Sequence, residues 1–142
     1  MLVYSLNCQS PSPGGAGKGE NSAGISPNRK LVRKGPVASY REKTDNPLND
    51  WYFSVGLYET PLTFQYLLKM QFEELKGEDT LLLPDLGSPP QPVIQKGKDK
   101  YSCVVGFLDK DTRFREYKLV YVKEGRELKL VTLHHYAMVP TR

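Results

Sequence analysis

The stretch spanning residues 100–139, KYSCVVGFLDKDTRFREYKLVYVKEGRELKLVTLHHYAMV, constrains the fold more than any other part of the chain. Its apolar residues recur at every second position through three runs, 101–108, 114–123 and 127–139. That is the period of a half-buried β-strand, not of a helix. The intervening DKDTR and EGR are short and rich in turn formers, with Gly125 free to adopt a left-handed backbone, so the three runs read as successive hairpins.

The same texture begins at Trp51. WYFSVGLYE places Trp51, Phe53, Val55 and Leu57 on one face and Tyr52, Ser54, Gly56 and Tyr58 on the other, which reads as a first strand. In TFQYLLKMQFEEL, Phe64, Tyr66, Leu68, Met70 and Phe72 alternate with Thr63, Gln65, Leu67, Lys69 and Gln71. Leu, Lys, Met and Gln also form helices well, but five consecutive alternations favour a strand over 64–75. KGED reads as a turn, TLLLP as a short buried strand, DLGSPPQP as a loop whose prolines (Pro89, Pro90, Pro92) bar regular pairing, VIQ as a brief strand and KGKDK as a turn. The expected fold is all-β, or β-rich α+β if 64–75 were helical. It is an antiparallel meander of about seven strands, curled or closed into a small barrel that removes its edges.

The 142 residues fit one domain, and an apolar share of 39% leaves part of the chain outside the core. Residues 1–48 are rich in Pro, Gly, Ser and Asn without either period, and read as a flexible basic arm preceding a β-rich domain over 49–142. The positive excess, 20 Lys and Arg against 16 Asp and Glu, sits mostly in this arm. Within it RKLVRK gathers Arg29, Lys30, Arg33 and Lys34, a candidate anion or nucleic-acid contact, although a solvated basic linker has the same composition. MLVYSL lacks a basic start and falls short of the roughly 7 to 15 apolar residues of a secretory core. No apolar run is long enough for a spanning helix, so a cytoplasmic location is expected. The alternative is a cell-envelope lipoprotein tethered through Cys8, if translation starts upstream of Met1.

His134 and His135 are adjacent, so on a strand they point to opposite faces and cannot hold one metal ion. Cys103 shares its face with Tyr101, Val105 and Phe107 and reads as a small core thiol. No phosphate loop, nucleophile elbow, HExxH or spaced CxxC pair is present. The expectation is a non-enzymatic binding or accessory module without a cofactor; a small Cys/His hydrolase built on Cys103 and His134 is one alternative. Its partner would be a protein or a small apolar ligand, with Trp51, Tyr101, Tyr117, Tyr121, His134 and Tyr136 as candidate ligand-binding residues. The other alternative is nucleic acid stacked on a Tyr and Arg sheet face and gripped by the basic arm, although interleaved acids such as Glu116 and Glu124 weaken that face.

Two resemblances bear on these expectations. NDWYFSV, a Trp entering the first strand of a chain of this length, resembles the opening of lipocalin-like barrels, with Asn49 where that pattern carries Gly. It implies an apolar cavity closed at one end by Trp51. The stretch PVIQKGKDKYSCVVGFLDKDTRFREYKLVYV, with LKLVTLHHYAMV beyond it, resembles small proteins of unknown function from Bacteroides-type conjugative elements. It implies an accessory role and transfers no active-site residue.

Overall fold

The computed structural model describes residues 25–136. They form eight strands and no helix: β1 (Ala38–Lys43), β2 (Tyr52–Glu59), β3 (Gln65–Phe72), β4 (Leu75–Leu82), β5 (Pro92–Lys96), β6 (Ser102–Leu108), β7 (Phe114–Lys123) and β8 (Glu127–Thr132). All pairings are antiparallel, and they fall into two separate four-stranded meanders, β1-β2-β3-β4 and β5-β6-β7-β8.

The meander is therefore real, but it does not close into a barrel. Each sheet presents one apolar face, and the two faces meet as a sandwich, with β1 running beside β5 at one side and β4 beside β8 at the other. Phe53, Val55 and Leu57 of β2, Tyr66 and Leu68 of β3, and Leu81 of β4 meet Cys103, Val105, Phe107 and Val120 of the second sheet in one core cluster. These side chains fill the space a lipocalin-like barrel would leave for a ligand. A crevice beside Phe107, lined also by Leu83 and Leu86, holds about 10 Å³, room for no more than a water.

Three details depart from the sequence reading. The folded region starts before residue 49: β1 pairs with β2 from Ala38↔Leu57 to Lys43↔Tyr52. The arm expected over 1–48 thus contributes an edge strand, which its polar composition concealed because only Ala38, Tyr40 and Glu42 are turned inward. Second, KGED is not a turn. Gly77 lies within β4, its bare backbone leaving room for the Met70 side chain, and the chain instead reverses at Glu73, whose φ is 53°. Third, Pro92 does enter a strand, as the first residue of the edge strand β5, where its missing N–H costs no ladder bond.

β7 matches its expected span, and its register with β6 shifts between Val105↔Lys118 and Gly106↔Glu116. This bulge inserts Tyr117 and reverses the phase of the strand, so Tyr117 and Val120 both face the core although three positions separate them. Gly106 is required here, since a Cβ would lie 2.0 Å from the Arg115 carbonyl oxygen. In the β6–β7 turn Asp109 acts as expected of a turn residue, its carboxylate accepting from the Asp111 and Arg113 amides at 2.8 and 3.0 Å.

Candidate functional site

Alternation that turns Phe53, Val55 and Leu57 inward turns Tyr52, Ser54, Gly56 and Tyr58 outward. Register then aligns them with their neighbours across the first sheet. One row runs Arg41, Ser54, Gln71, Lys76; the next runs Ser39, Gly56, Lys69, Glu78. Short Ser39, Ser54 and Gly56 on β1 and β2, with longer side chains of β1, β3 and β4 around them, shape a trough of about 380 Å³ on this outer face. Its floor is Ser39, Ser54 and Gly56, and its rim carries three cations, Arg41, Lys69 and Lys76, against one carboxylate, Glu78.

Two of those cations are held by tyrosines. The Arg41 guanidinium lies 3.7 Å from the centre of the Tyr52 ring and the Lys69 ammonium 4.9 Å from that of Tyr58. Tyr58 itself lies across Gly56, its Cε1 3.1 Å from where a Cβ would stand. Such contacts fix the cations without neutralising them, because an aromatic face attracts positive charge but carries none. The flanking Lys43, by contrast, pairs with Asp50 at 3.2 Å. The trough therefore offers fixed positive charge and donors in Ser39, Ser54 and Gln71, which suit an anionic ligand.

The residues singled out from sequence lie elsewhere and are mostly engaged in holding the fold. Tyr101 stands between the sheets, packing on Phe53 and Phe72 at centroid distances of 6.4 and 5.2 Å. Its hydroxyl accepts the Asp45 amide at 2.9 Å, beside the ion pair of Asp45 with Lys100. Tyr117 and Tyr136 form a T-shaped cluster with Phe107, and the Tyr136 hydroxyl donates to the Glu116 carbonyl at 2.6 Å. Trp51 is half-buried at one end of the sandwich, beside Phe72 and the turn at Gly125 and Arg126. Tyr121 does reach an outer surface, lining a hollow of about 460 Å³ on the second sheet with Val104, Leu119 and Leu133.

β8 ends at Thr132, before both histidines, so the parity argument that separated them does not apply. Both are exposed, and His134 Nε2 is 3.9 Å from a Glu116 carboxylate oxygen. Cys103 is fully buried between the sheets, where burial pushes its thiol up to about 12. The thiol is thus buried and the imidazole exposed. Among the described residues no three His, Cys, Asp or Glu side chains are grouped to hold a metal ion, and no helix is long and apolar enough to cross a membrane. Cys8 lies outside the described residues.

The basic cluster divides. Arg29 is turned into the fold: its guanidinium donates to the Thr60 and Thr63 carbonyls at 3.0 and 2.7 Å, approaches Glu59 at 3.6 Å and lies 5.0 Å from the centre of the Tyr66 ring. Lys30, Arg33 and Lys34 are exposed. Glu59 also accepts the Arg33 backbone amide at 2.8 Å, so this acid clips the incoming chain to the first sheet.

No family model, no curated protein and no solved structure matches this chain.

Sequence reasoning missed Arg41, Lys69 and Lys76 as a set. The available signal was the polar outward face of WYFSVGLYE together with Lys69 and Gln71 on the matching face of the next strand.

Proposed function

We propose that this protein is a non-catalytic β-sandwich binding module that takes an anionic ligand in the trough on the outer face of β1–β4. The observation carrying this reading is the alignment of Arg41, Lys69 and Lys76 from three strands over a floor of Ser39, Ser54 and Gly56. The filled interior favours a surface ligand over an enclosed apolar one. The burial of Cys103 and the exposure of His134 support binding rather than Cys/His hydrolysis. An accessory role, as the C-terminal resemblance implies, is in keeping with a module of this kind.

Retention on phosphocellulose tests the reading. Replacing Arg41, Lys69 and Lys76 together by Gln should bring elution to markedly lower salt, whereas replacing Lys30, Arg33 and Lys34 by Gln, the same loss of three charges, should change it less. Equal elution of the trough variant and the parent protein would refute it.

A further inference from the structure

The spacing of the charges says what kind of anion the trough fits. Strands in a sheet lie roughly 4.8 Å apart, so Arg41 on β1 and Lys76 on β4, three strand spacings from each other in one row, are rooted about 14 Å apart. Along the strands, Tyr52 and Gly56 are separated by four residues, again about 14 Å at roughly 3.4 Å per residue. Arg41 is drawn to Tyr52 and Lys69 to the Tyr58 ring over Gly56, so these two cations are held towards opposite ends of the trough. A single phosphate or carboxylate cannot sit against all three. It would meet at most the two diagonal neighbours Lys69 and Lys76, in water, an interaction of little value.

A chain that repeats its negative charge can engage the three in succession. The two tyrosines add a second selection. Tyr52 and Tyr58 are half-exposed, and the Arg41 guanidinium, stacked on Tyr52, is itself a planar platform. Aromatic rings and stacked guanidinium planes are surfaces on which unpaired bases lie. Duplex nucleic acid hides its base faces, so these platforms suit an unpaired strand.

We infer that the trough on the outer face of β1–β4 binds single-stranded nucleic acid, its backbone crossing Arg41, Lys69 and Lys76 and its bases stacking at Tyr52 and Tyr58. This rests on the anionic-ligand reading above and narrows it. Glu78, the one carboxylate on the rim, lies in the row of Lys69 and limits how closely the backbone approaches the β4 side.

The full chain is titrated against a fluorescent oligothymidylate of about 15 nucleotides over a range of salt, read by anisotropy. With three phosphates neutralised, log K should fall against log salt with a slope of about −2. Lys69→Gln and Lys76→Gln should each make that slope shallower by about 0.7. Tyr58→Ala should weaken binding by between about 5-fold and 150-fold while leaving the slope in place, the signature of lost stacking. Arg115→Gln and Lys118→Gln, on the second sheet, should change neither. A duplex of the same length should bind more weakly than the single strand. Indifference to Tyr58→Ala, equal affinity for the duplex, or sensitivity at Arg115 and Lys118 instead would overturn the proposal. If heparin binds through Arg41, Lys69 and Lys76 but the oligonucleotide does not, the nucleic-acid assignment fails and the anionic trough stands. If neither binds at low salt, both fail.

Discussion

Replacing Arg29 by Ala should destabilise the protein by about 3 kcal/mol, because this residue anchors the segment ahead of β1 to the first sheet. The guanidinium makes two hydrogen bonds to backbone carbonyls, at 3.0 and 2.7 Å, and charged hydrogen bonds each contribute roughly 1.5–3 kcal/mol. It also approaches Glu59 at 3.6 Å and covers the Tyr66 ring at 5.0 Å, the latter contributing about 1 kcal/mol. Against this, the Arg29 and Glu59 side chains keep 13% and 20% of their exposure, so water recovers part of what is lost. With a urea dependence of about 1.5 kcal/mol per molar, the unfolding midpoint should fall by about 2 M. Lys30→Ala, Arg33→Ala and Lys34→Ala, exposed neighbours of the same charge, should stay within about 0.5 kcal/mol of the parent. The assay is equilibrium urea unfolding followed by Trp51 fluorescence and far-ultraviolet dichroism. A change for Arg29→Ala no larger than for its three neighbours would show that this segment is not anchored through the guanidinium.

The remaining expectations concern the core. The Cys103 thiol is raised by burial from 9.0 to about 12, so the folded state keeps a proton that the unfolded chain releases above about pH 9. Its contribution is full below that pH and falls as pH rises towards 12, at up to about 1.4 kcal/mol per unit. Urea unfolding at pH 8, 9.5 and 10.5 should show a shallower decline for Cys103→Ala than for the parent, and parallel declines would contradict this. Gly106→Ala should cost about 3 kcal/mol, near the upper end for overpacking, because its Cβ would stand 2.0 Å from the Arg115 oxygen. Gly35→Ala, with nothing within 4 Å, is the control, and similar melting temperatures for the two would contradict the bulge geometry.

Strands whose two faces differ were legible in the sequence. β2, β3 and β6 each carry at least three inward apolar residues in alternation, and their approximate spans follow from that, whereas β7 is bounded by the turn residues of DKDTR and EGR. β1 carries no such signal, since Tyr40 and Glu42 satisfy each other through a 2.9 Å hydrogen bond and only Ala38 and Tyr40 touch the core. Phase was the second blind spot. Tyr117 and Tyr121 have the same parity in the sequence, but the bulge beside Gly106 turns Tyr117 inward and leaves Tyr121 outside. The trough was invisible for a related reason. Its outward residues come two or three per strand, and Lys76 belongs to the face only because the hairpin turns at Glu73 rather than within KGED. A difference of a few residues in one turn decides which four side chains share a row.

The two meanders share no ladder bonds, so every strand pairing is completed within one half of the chain. Cross-links between the halves gather at one corner, where Tyr101 and Lys100 meet Glu42 and Asp45. Each half thus closes only short loops of neighbouring chain, and the proline-bearing connection between β4 and β5 joins the two. The sandwich is therefore held across its middle by exclusion of water from Phe53, Leu57, Val105 and Phe107 rather than by backbone pairing.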